Sequence, residues 1–310
     1  MPAVVEKPAL SRFEGCVIGL AVGDALGAPT EGLTRHEIRA RWGRVSDFVA
    51  AADLRAGQYT DETQTAIALG ESIARNRGFD PQAAASALRD WCTASDVRRP
   101  GPGTAEACAR LARGIAWNES GSDSADCAAA APAVLIGLLH CRRTERLLED
   151  AVATTVITHR DQRAVAGAVA MAAAVAHLVG ADVTVDVPAV LDHAASASAA
   201  HSREMAAAIR AVGDLLDLAP RMAMDEIGYS GFVLEAVPAA FYCFAVAPDD
   251  FAESVLLAVN TGGHASSIAA MTGALGGAHL GLAAIPSPWA EGVEESQRLR
   301  QLGREVHALA

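Results

Sequence analysis

Side chains able to do acid–base chemistry or to bind a cation concentrate in three short segments of this 310-residue chain. Carboxylates and histidine are common proton donors and acceptors in enzymes, and carboxylate and hydroxyl oxygens also bind Mg²⁺ and Mn²⁺. The candidates are Asp24 and Glu31 in the first segment, Thr60, Asp61 and Glu62 in the second, and His264, Ser266 and Ser267 in the third.

The first segment is a glycine-marked helix followed by a loop. Gly19, Gly23 and Gly27 recur every fourth residue, so they lie on one helical face and permit close approach of another helix or of a ligand. Pro29 ends this helix and leaves Glu31 in the loop after it. Two interpretations stay open: glycines for packing with a solvated Glu31, or a carboxylate presented beside a cleft.

The second segment has the pattern of a helix start. Thr60 suits the N-cap position, and Asp61 and Glu62 follow in the first turn, where the helix dipole stabilises negative charge. An acidic first turn needs no further explanation. The same hydroxyl and two carboxylates, converging at one helix end, also form a candidate site for a divalent cation.

The third segment places two glycines before another helix start. Gly262 and Gly263 can form a nest of backbone N–H groups able to hold an anion. His264 or Ser266 then caps the helix. A ligand-binding helix end is therefore one interpretation of this segment, and ordinary capping is the other.

Helices must position all three segments, because helical periodicity recurs along almost the whole chain. We expect an all-α fold, one compact multi-helix bundle that forms a single domain over residues 1–310. Strand-like alternation is weak, and Val183–Val187 is the best β candidate. The predicted helices are 10–25, 61–76, 80–95, 103–116, 126–140, 144–157, 161–179, 186–199, 201–217, 231–244, 248–259, 264–282 and 288–308.

Composition narrows the class of partner. The net charge of −12 repels phosphate backbones, so nucleic acid is not an expected partner, although a small phosphorylated ligand in a local pocket stays compatible. Six cysteines without a CxxC pair predict buried thiols in a reducing compartment. The apolar stretch Ala164–Ala181 is rich in Ala, Val and Gly, which favours a buried central helix over a membrane span. No secretory signal pattern opens the sequence, and we expect a cytoplasmic protein.

Together the three segments resemble a known family. Gly19–Glu31, Tyr59–Ser72 and Val259–Ala278 are similar to the three signature blocks of the ADP-ribosylglycohydrolase family, with supporting matches around His159 and in Gly228–Phe232. The resemblance covers residues 10–295. It implies an orthogonal bundle of many helices with a central cleft, in which two Mg²⁺ or Mn²⁺ ions help cleave the glycosidic bond to ADP-ribose.

Two blocks depart from the family pattern at the implied metal ligands. The family usually has Thr-Asp-Asp-Thr where this chain has Glu62 in the third position, and Gly-Gly-Asp-x-Asp-Thr where this chain has His264 and Ser266 in place of the aspartates. Two negative charges are thereby lost from a site for two dications. We therefore expect no two-metal centre and no cofactor, with a remodelled site for one Mg²⁺ or Mn²⁺ as the alternative.

The segment that resembles the family's phosphate-binding loop also differs. Relatives carry a glycine-rich loop with an arginine, whereas this chain has Asp123 and Asp126 there, and their charges would repel a diphosphate. The segment with Tyr229, Ser230 and Phe232 is retained, and its rings can stack on a nucleobase-like group or pack in the core. His159 has the same two possibilities, a ligand contact or a structural role.

Three hypotheses about function follow. The first is hydrolysis of an N-glycosidic, ribosyl bond in a small nucleotide- or nucleoside-like metabolite, with Glu31, Asp61, Glu62 and His264 as catalytic groups. The second is an inactive binding protein, and the third is a metal-dependent ADP-ribosyl hydrolase with a remodelled site. The oligomeric state is not predicted. The expected substrate-binding residues are Asp24, Thr60, His159, Tyr229, Ser230, Phe232, Gly262, Gly263, Ser266 and Ser267.

Overall fold

Helices make up nearly all the regular structure in a computed structural model that describes residues 8–181 and 184–310. The predicted all-α fold class is confirmed. Within those residues the helices are α1 (Leu10–Gly27), α2 (Arg35–Trp42), α3 (Asp61–Asn76), α4 (Pro81–Cys92), α5 (Pro102–Ala112), α6 (Val134–Leu139), α7 (Thr144–Val156), α8 (Gln162–Gly180), α9 (Val187–Ser198), α10 (Arg203–Ala211), α11 (Pro220–Ile227), α12 (Val233–Val246), α13 (Phe251–Val259), α14 (Ala265–Leu280), α15 (Ser287–Gly292) and α16 (Ser296–Leu309).

Two glycine-rich helices, α1 and α14, pack backbone against backbone. They run antiparallel, because Gly15 near the start of α1 meets Gly277 near the end of α14, while Gly27 meets Ala265. A Cβ atom at Gly15 would lie 2.5 Å from the Gly277 carbonyl oxygen, closer than real side chains approach. This packing brings the C-terminus of α1 directly beside the N-terminus of α14.

The apolar helix α8 lies inside the bundle. Of the described helices, it alone is long and apolar enough to cross a membrane, and 83% of its apolar stretch is buried within the fold. Its neighbours include α6, α7, α9, α12 and α14. A helix that is apolar on every side is typical of a protein core, as the sequence analysis expected of this stretch.

Two short helices escaped the sequence analysis, and the reason is burial. In α2 only Ile38 is buried, although Thr34 and Glu37 form a complete capping box at its start. In α11 only Ala223 and Met224 are buried. Because so few apolar residues mark their inner faces, neither helix has a clear hydrophobic period.

Two predicted helices were wrong in extent. Residues 127–133, predicted as part of a helix, form successive turns, and the Cys127 N–H donates to the Gly231 carbonyl oxygen at 3.1 Å. The predicted helix 288–308 is two helices, because Glu295 has a left-handed φ of 52° between them. In the strand candidate, Val183 lies outside the described residues, and the chain enters α9 at Val187.

The prediction that all six cysteines are thiols was also wrong. Cys92, the last residue of α4, and Cys108, in α5, form a disulfide with their Cα atoms 5.9 Å apart. Packing of α4 on α5 brings together two residues that are sixteen positions apart in sequence, and nothing in their spacing indicates it. Cys16, Cys127 and Cys243 are buried thiols, as expected.

Candidate active site

A cavity of about 110 Å³ lies where the N-termini of α3, α5 and α14 meet the loop after α1. Seven of the predicted site residues line it, so the structure brings together the three segments that the sequence analysis singled out. They are Glu31, Thr60, Asp61, Glu62, His264, Ser266 and Ser267, and the remaining wall is Arg99, Gly101, Pro102, Asp126 and Ala128.

Asp24 does not line the cavity but fixes the start of α3 from behind. Its fully buried carboxylate accepts hydrogen bonds from the backbone N–H and hydroxyl of both Thr60 and Thr63, the hydroxyl bonds being 2.8 and 2.7 Å. Burial raises the pKa of Asp24 to about 6, even though these four donors act in the opposite direction. Asp24 thus orients the helix end that presents Asp61 and Glu62.

Asp61 and Glu62 occupy the first turn of α3, as predicted, and both are buried. Burial, followed by the neighbouring charge of Asp24, raises the pKa of Asp61 to about 7. Burial and the charge of Asp61 likewise raise the pKa of Glu62 well above its usual value. The Ser267 hydroxyl donates to Glu62 Oε1, whereas Glu62 Oε2 has no hydrogen-bond partner.

Glu31 fills the N-terminus of α14, where the sequence suggested an anion would bind. Its Oε2 accepts from the Ser266 N–H at 2.8 Å and from the Ser266 hydroxyl at 2.6 Å, and its Oε1 lies 3.0 Å from His264 Nδ1. Burial works to raise the pKa of Glu31, but His264 and Ser266 outweigh it and lower that pKa. Burial conversely works to lower the pKa of His264, and Glu31 raises it. The pair therefore favours carboxylate and imidazolium together.

Asp126 was absent from the predicted site residues, yet it lines the cavity. The fully buried His159 lies behind it, with Nε2 2.7 Å from Asp126 Oδ1, a contact poorly aligned for a hydrogen bond. Ser124 and the Ala128 N–H donate to its two oxygens at 2.7 and 3.1 Å. Although burial acts to raise it, these neighbours, His159 above all, lower the pKa of Asp126 to about 2. His159 therefore supports Asp126 from behind and does not line the cavity.

The other predicted binding residues lie beside the cavity and not in its wall. Tyr229 stacks under Arg35, whose guanidinium carbon is 4.7 Å from the ring centre, and its carbonyl accepts from the His264 N–H. Phe232 is 37% exposed and lies beneath Arg163. Ser230 is exposed, and its backbone N–H donates to Glu235 Oε2, while its hydroxyl accepts from the Phe232 N–H.

Gly262 and Gly263 shape the turn before α14 through left-handed backbone angles. Their φ values are 79° and 62°, and a side chain at Gly262 would collide with the Leu33 carbonyl. The Gly263 N–H donates to the Leu33 carbonyl oxygen, and the Gly32 N–H donates to the Gly263 carbonyl oxygen. These bonds join the turn to the loop that carries Glu31, and the N–H of Gly263 is therefore already used within the protein.

Arg99 is a second cavity residue that the sequence analysis missed. Its Nε donates to Asp53 at 2.8 Å, and its Nη1 donates to the Ala28 carbonyl at 2.8 Å. The segment ends at Gly101, whose N–H donates to Asp61 Oδ2 at 3.3 Å. The run of proline and glycine after Arg99 indicates only an irregular segment. Nothing in that run predicts a contact with Asp61.

Most side-chain oxygens in the cavity wall that could bind a metal ion already have hydrogen-bond partners within the protein. In the described part of the chain, no three His, Cys, Asp or Glu side chains are grouped so as to hold one metal ion. Both Glu31 oxygens and one oxygen of Glu62 already have protein partners, while Thr60 donates to Asp24. The second oxygen of Glu62, Oε2, is buried and has no hydrogen-bond partner.

Comparison with known proteins gives one consistent result. The profile of the ADP-ribosylglycohydrolase family matches residues 6–310. An uncharacterized protein of Archaeoglobus fulgidus is 37% identical over 300 residues, covering 96% of each chain. The ADP-ribosyl-[dinitrogen reductase] glycohydrolase of Rhodospirillum rubrum is 26% identical, covering 96% of this chain and 95% of its own. A solved structure titled ADP-ribosylglycohydrolase-related protein complex has a TM-score of 0.78 at 28% identity, covering 97% of this chain and 98% of that one.

Proposed function

The chain belongs to the ADP-ribosylglycohydrolase family, and from that membership we propose that it hydrolyses an N-glycosidic, ribosyl bond of a small nucleotide- or nucleoside-like metabolite. The catalytic groups are Glu31, Asp61, Glu62 and His264. The observation that supports this most is the pairing of acid and base around one cavity: a Glu31–His264 ion pair faces Asp61, whose pKa of about 7 suits proton transfer at neutral pH.

Water replaces the leaving nitrogen at the anomeric carbon in this mechanism. Asp61, in its ionised form, accepts a proton from the attacking water as the new carbon–oxygen bond forms. His264, held through Nδ1 by Glu31, donates a proton from Nε2 to the leaving nitrogen as the carbon–nitrogen bond breaks. The negative charges in the cavity stabilise the oxocarbenium-like transition state. The free oxygen of Glu62 hydrogen-bonds the substrate.

We propose that this chain does not hold the pair of divalent cations that the family implies. Two dications need several anionic oxygens at once, and here His264 and Ser266 occupy Glu31 while Ser267 occupies one oxygen of Glu62. We therefore assign the proton transfers to side chains. A single Mg²⁺ or Mn²⁺ is the second candidate, because the unpartnered Glu62 Oε2 and the neighbouring Asp61 would give it two anionic ligands.

The remaining parts of the proposal concern binding and context. Thr60, Ser266 and Ser267 contact the substrate in the cavity, and Tyr229, Ser230 and Phe232 bind whatever extends beyond it. Asp24, His159, Gly262 and Gly263 act by positioning these groups. We further propose a single domain over residues 1–310, a small-molecule partner without nucleic acid or membrane, and a cytoplasmic role in nucleotide metabolism.

Purification in EDTA followed by substrate assays tests the function. Nucleosides, nicotinamide mononucleotide and ADP-ribose conjugates are incubated with the protein, and the released base is measured by chromatography. We expect turnover without added metal, lost in Asp61→Asn and kept in the control Asp217→Asn, an exposed position outside the cavity. Turnover only after Mn²⁺ or Mg²⁺ is added would favour the single-cation candidate. No turnover under either condition would contradict hydrolysis.

A further inference from the structure

The cationic side chains that line the cavity are already neutralised by the protein. Arg99 is bound through two of its nitrogens to Asp53, on the side away from the cavity, and through a third to the Ala28 carbonyl. His264 is paired with Glu31. Among the described residues of the wall there is no further lysine, arginine or histidine, so every cation there already has an anionic partner in the protein.

Negative charge, by contrast, is in excess. Beyond Glu31, the wall contains the carboxyl groups of Asp61 and Glu62, which burial shifts toward the neutral form, and the carboxylate of Asp126, which stays ionised. Glu62 lines the cavity and is 97% buried, and its Oε2 lacks any hydrogen-bond partner within the protein. A buried oxygen without a donor is costly, and a ligand that supplies a donor or a positive charge removes that cost.

Asp126 is held in place by several elements at once, so its charge is a built feature of the wall. Ser124 and the Ala128 N–H fix its two oxygens, and His159 lies against it. Gly103 in α5 leaves the room for this pair, because a Cβ there would lie 2.5 Å from His159 Nε2 and 2.7 Å from Asp126 Oδ2. The carboxylate therefore cannot turn away when a ligand enters.

The size of the cavity limits what meets these charges. About 110 Å³ is well below the roughly 300–1,000 Å³ of pockets that enclose a drug-sized ligand. This volume suits a single sugar ring with the groups bonded directly to it, at its 5′ end and at its anomeric carbon, and the rest of the ligand lies outside. The groups nearest the carboxylates are then the ribosyl ring, its 5′ substituent and the glycosidic nitrogen.

Resting on the proposed function, we propose that the substrate class is the cationic N-riboside without a 5′ phosphate, and that Asp126 is the residue that discriminates against the phosphate. A positive glycosidic nitrogen is attracted by the carboxylates of the wall. A phosphate is repelled by them, because no unpaired cation in the wall compensates its charge. On cleavage of this cationic substrate, water adds to the anomeric carbon, and the nitrogen leaves with the bonding pair as a neutral base. Such a leaving group needs no proton from His264, whose proton serves a neutral leaving nitrogen. The proton released by the attacking water goes to solvent through Asp61.

Three probes separate phosphate from positive charge. Nicotinamide riboside is cationic and phosphate-free, nicotinamide mononucleotide adds only the phosphate, and uridine is neutral. Calorimetric titration at pH 7.5 and 0.15 M salt should give a Kd for nicotinamide riboside at least tenfold lower than for either other probe. Equal or tighter binding of the mononucleotide or of uridine would overturn the proposal, as would no binding of nicotinamide riboside at millimolar concentration.

Asp126→Asn and its matched control Asp123→Asn test the assigned residue. Asp123 is exposed in the same loop and pairs with Arg160. We expect Asp126→Asn to lower the ratio of the Kd for the mononucleotide to the Kd for the riboside at least fivefold. Asp123→Asn should leave that ratio unchanged. An unchanged preference in Asp126→Asn would overturn the assignment to Asp126. Should that variant fail to fold, the comparison of probes on the unmodified chain still decides the substrate class.

Binding and hydrolysis are scored separately, so the two proposals fail in different ways. Chromatography of each titrated sample shows whether the riboside stays intact. Binding in the expected order with intact ligand would contradict hydrolysis and leave the ligand class standing. Hydrolysis with the mononucleotide preferred would support the function and overturn the ligand class.

Discussion

Protonation states decide what the cavity residues can do at neutral pH. Asp61 and Glu62 are pushed toward the neutral form by burial and by a neighbouring charge, that of Asp24 for Asp61 and that of Asp61 for Glu62, while Glu31 is kept ionised by His264 and Ser266. Such divergence among neighbouring carboxyl groups is common where one must act as acid or base and another as a fixed charge. In this cavity Asp61, with a pKa of about 7, titrates near neutral pH.

A bell-shaped pH profile follows from this assignment. With a neutral N-riboside as substrate, the rate should rise with pH through about 7 as Asp61 ionises, and should fall at higher pH as His264, whose pKa is raised, loses its proton. With a cationic riboside, which needs no proton on its leaving nitrogen, only the rise is expected. Asp61→Asn should lower kcat by roughly 10²–10⁴-fold, and His264→Gln should remove the alkaline fall. Initial rates between pH 5 and 9 check both; a flat profile in the unmodified chain would contradict the assignment.

Glu62 should also make stability depend on pH. The pKa of Glu62 in the folded protein lies above its value of 4.5 in the unfolded chain. Its contribution to the free energy of unfolding is therefore fully present below pH 4.5 and is lost as the pH rises through the pKa of the folded protein. Relative to Glu62→Gln, the unmodified chain should therefore lose up to about 1.4 kcal/mol per pH unit between pH 5 and 8. Urea unfolding at several pH values measures the difference.

The control for this comparison is Glu226→Gln, an exposed substitution on α11. Its free energy of unfolding should show the same dependence on pH as that of the unmodified chain. Histidines whose pKa is lowered by burial, such as His140 and His279, act in the opposite direction but are present in every variant, so the difference between variants cancels them. A difference that grows as pH falls would contradict the predicted direction.

At the level of elements, the contact between α1 and α14 sets the distance between the loop of Glu31 and the first turn with Ser266. Gly19→Ala or Gly23→Ala would drive a Cβ into the backbone of α14. Overpacking of this kind typically costs about 1–3 kcal/mol, and here the obstacle is backbone, which cannot change rotamer. Each variant should lower the denaturant midpoint or fail to accumulate as folded protein.

Gly213→Ala is the matched control for the α1 variants, because nothing lies within 4 Å of the position where its Cβ would stand. Its free energy of unfolding should stay within about 0.5 kcal/mol of the unmodified value. If Gly19→Ala proved equally neutral, the close approach of α1 and α14 would be wrong.

The disulfide between α4 and α5 spans the segment that includes Arg99 and Gly101. Closing a loop of this length in the unfolded chain is worth about 3 kcal/mol. Cys92→Ser, Cys108→Ser and the double variant should therefore lower the free energy of unfolding by similar amounts, since any one of them removes the whole bond. Reductant should lower it in the unmodified chain only. Additive losses in the double variant would contradict the bond.

At the level of the whole molecule, excess negative charge should keep nucleic acid away. A net charge of −12 provides no general attraction for a phosphate backbone. Mixing the protein with fluorescein-labelled duplex DNA at 0.15 M salt should leave the fluorescence anisotropy unchanged up to tens of micromolar protein. Saturable binding in that range would contradict the prediction.

The sequence predicted the parts of this molecule whose physics is local. The helices, the N-cap at Thr60 and the acidic first turn of α3 depend on neighbours within a few residues. The sequence also indicated the charge of Asp126 in the segment that resembles a phosphate-binding loop. The role of Arg99, and the support that His159 gives Asp126, depend on contacts between segments distant in sequence, which no local pattern records. Asp24 is the intermediate case: its place in an apolar helix marked it as unusual, but only the fold shows that it anchors Thr60 and Thr63.

The carboxylate seated at the start of α14 has a practical consequence for inhibitor design. Small acids often bind helix N-termini, yet at this one they would compete with Glu31, a tethered occupant whose effective concentration is in the millimolar range or above. Neutral or basic compounds that hydrogen-bond to Glu62 avoid that competition and are the better starting points.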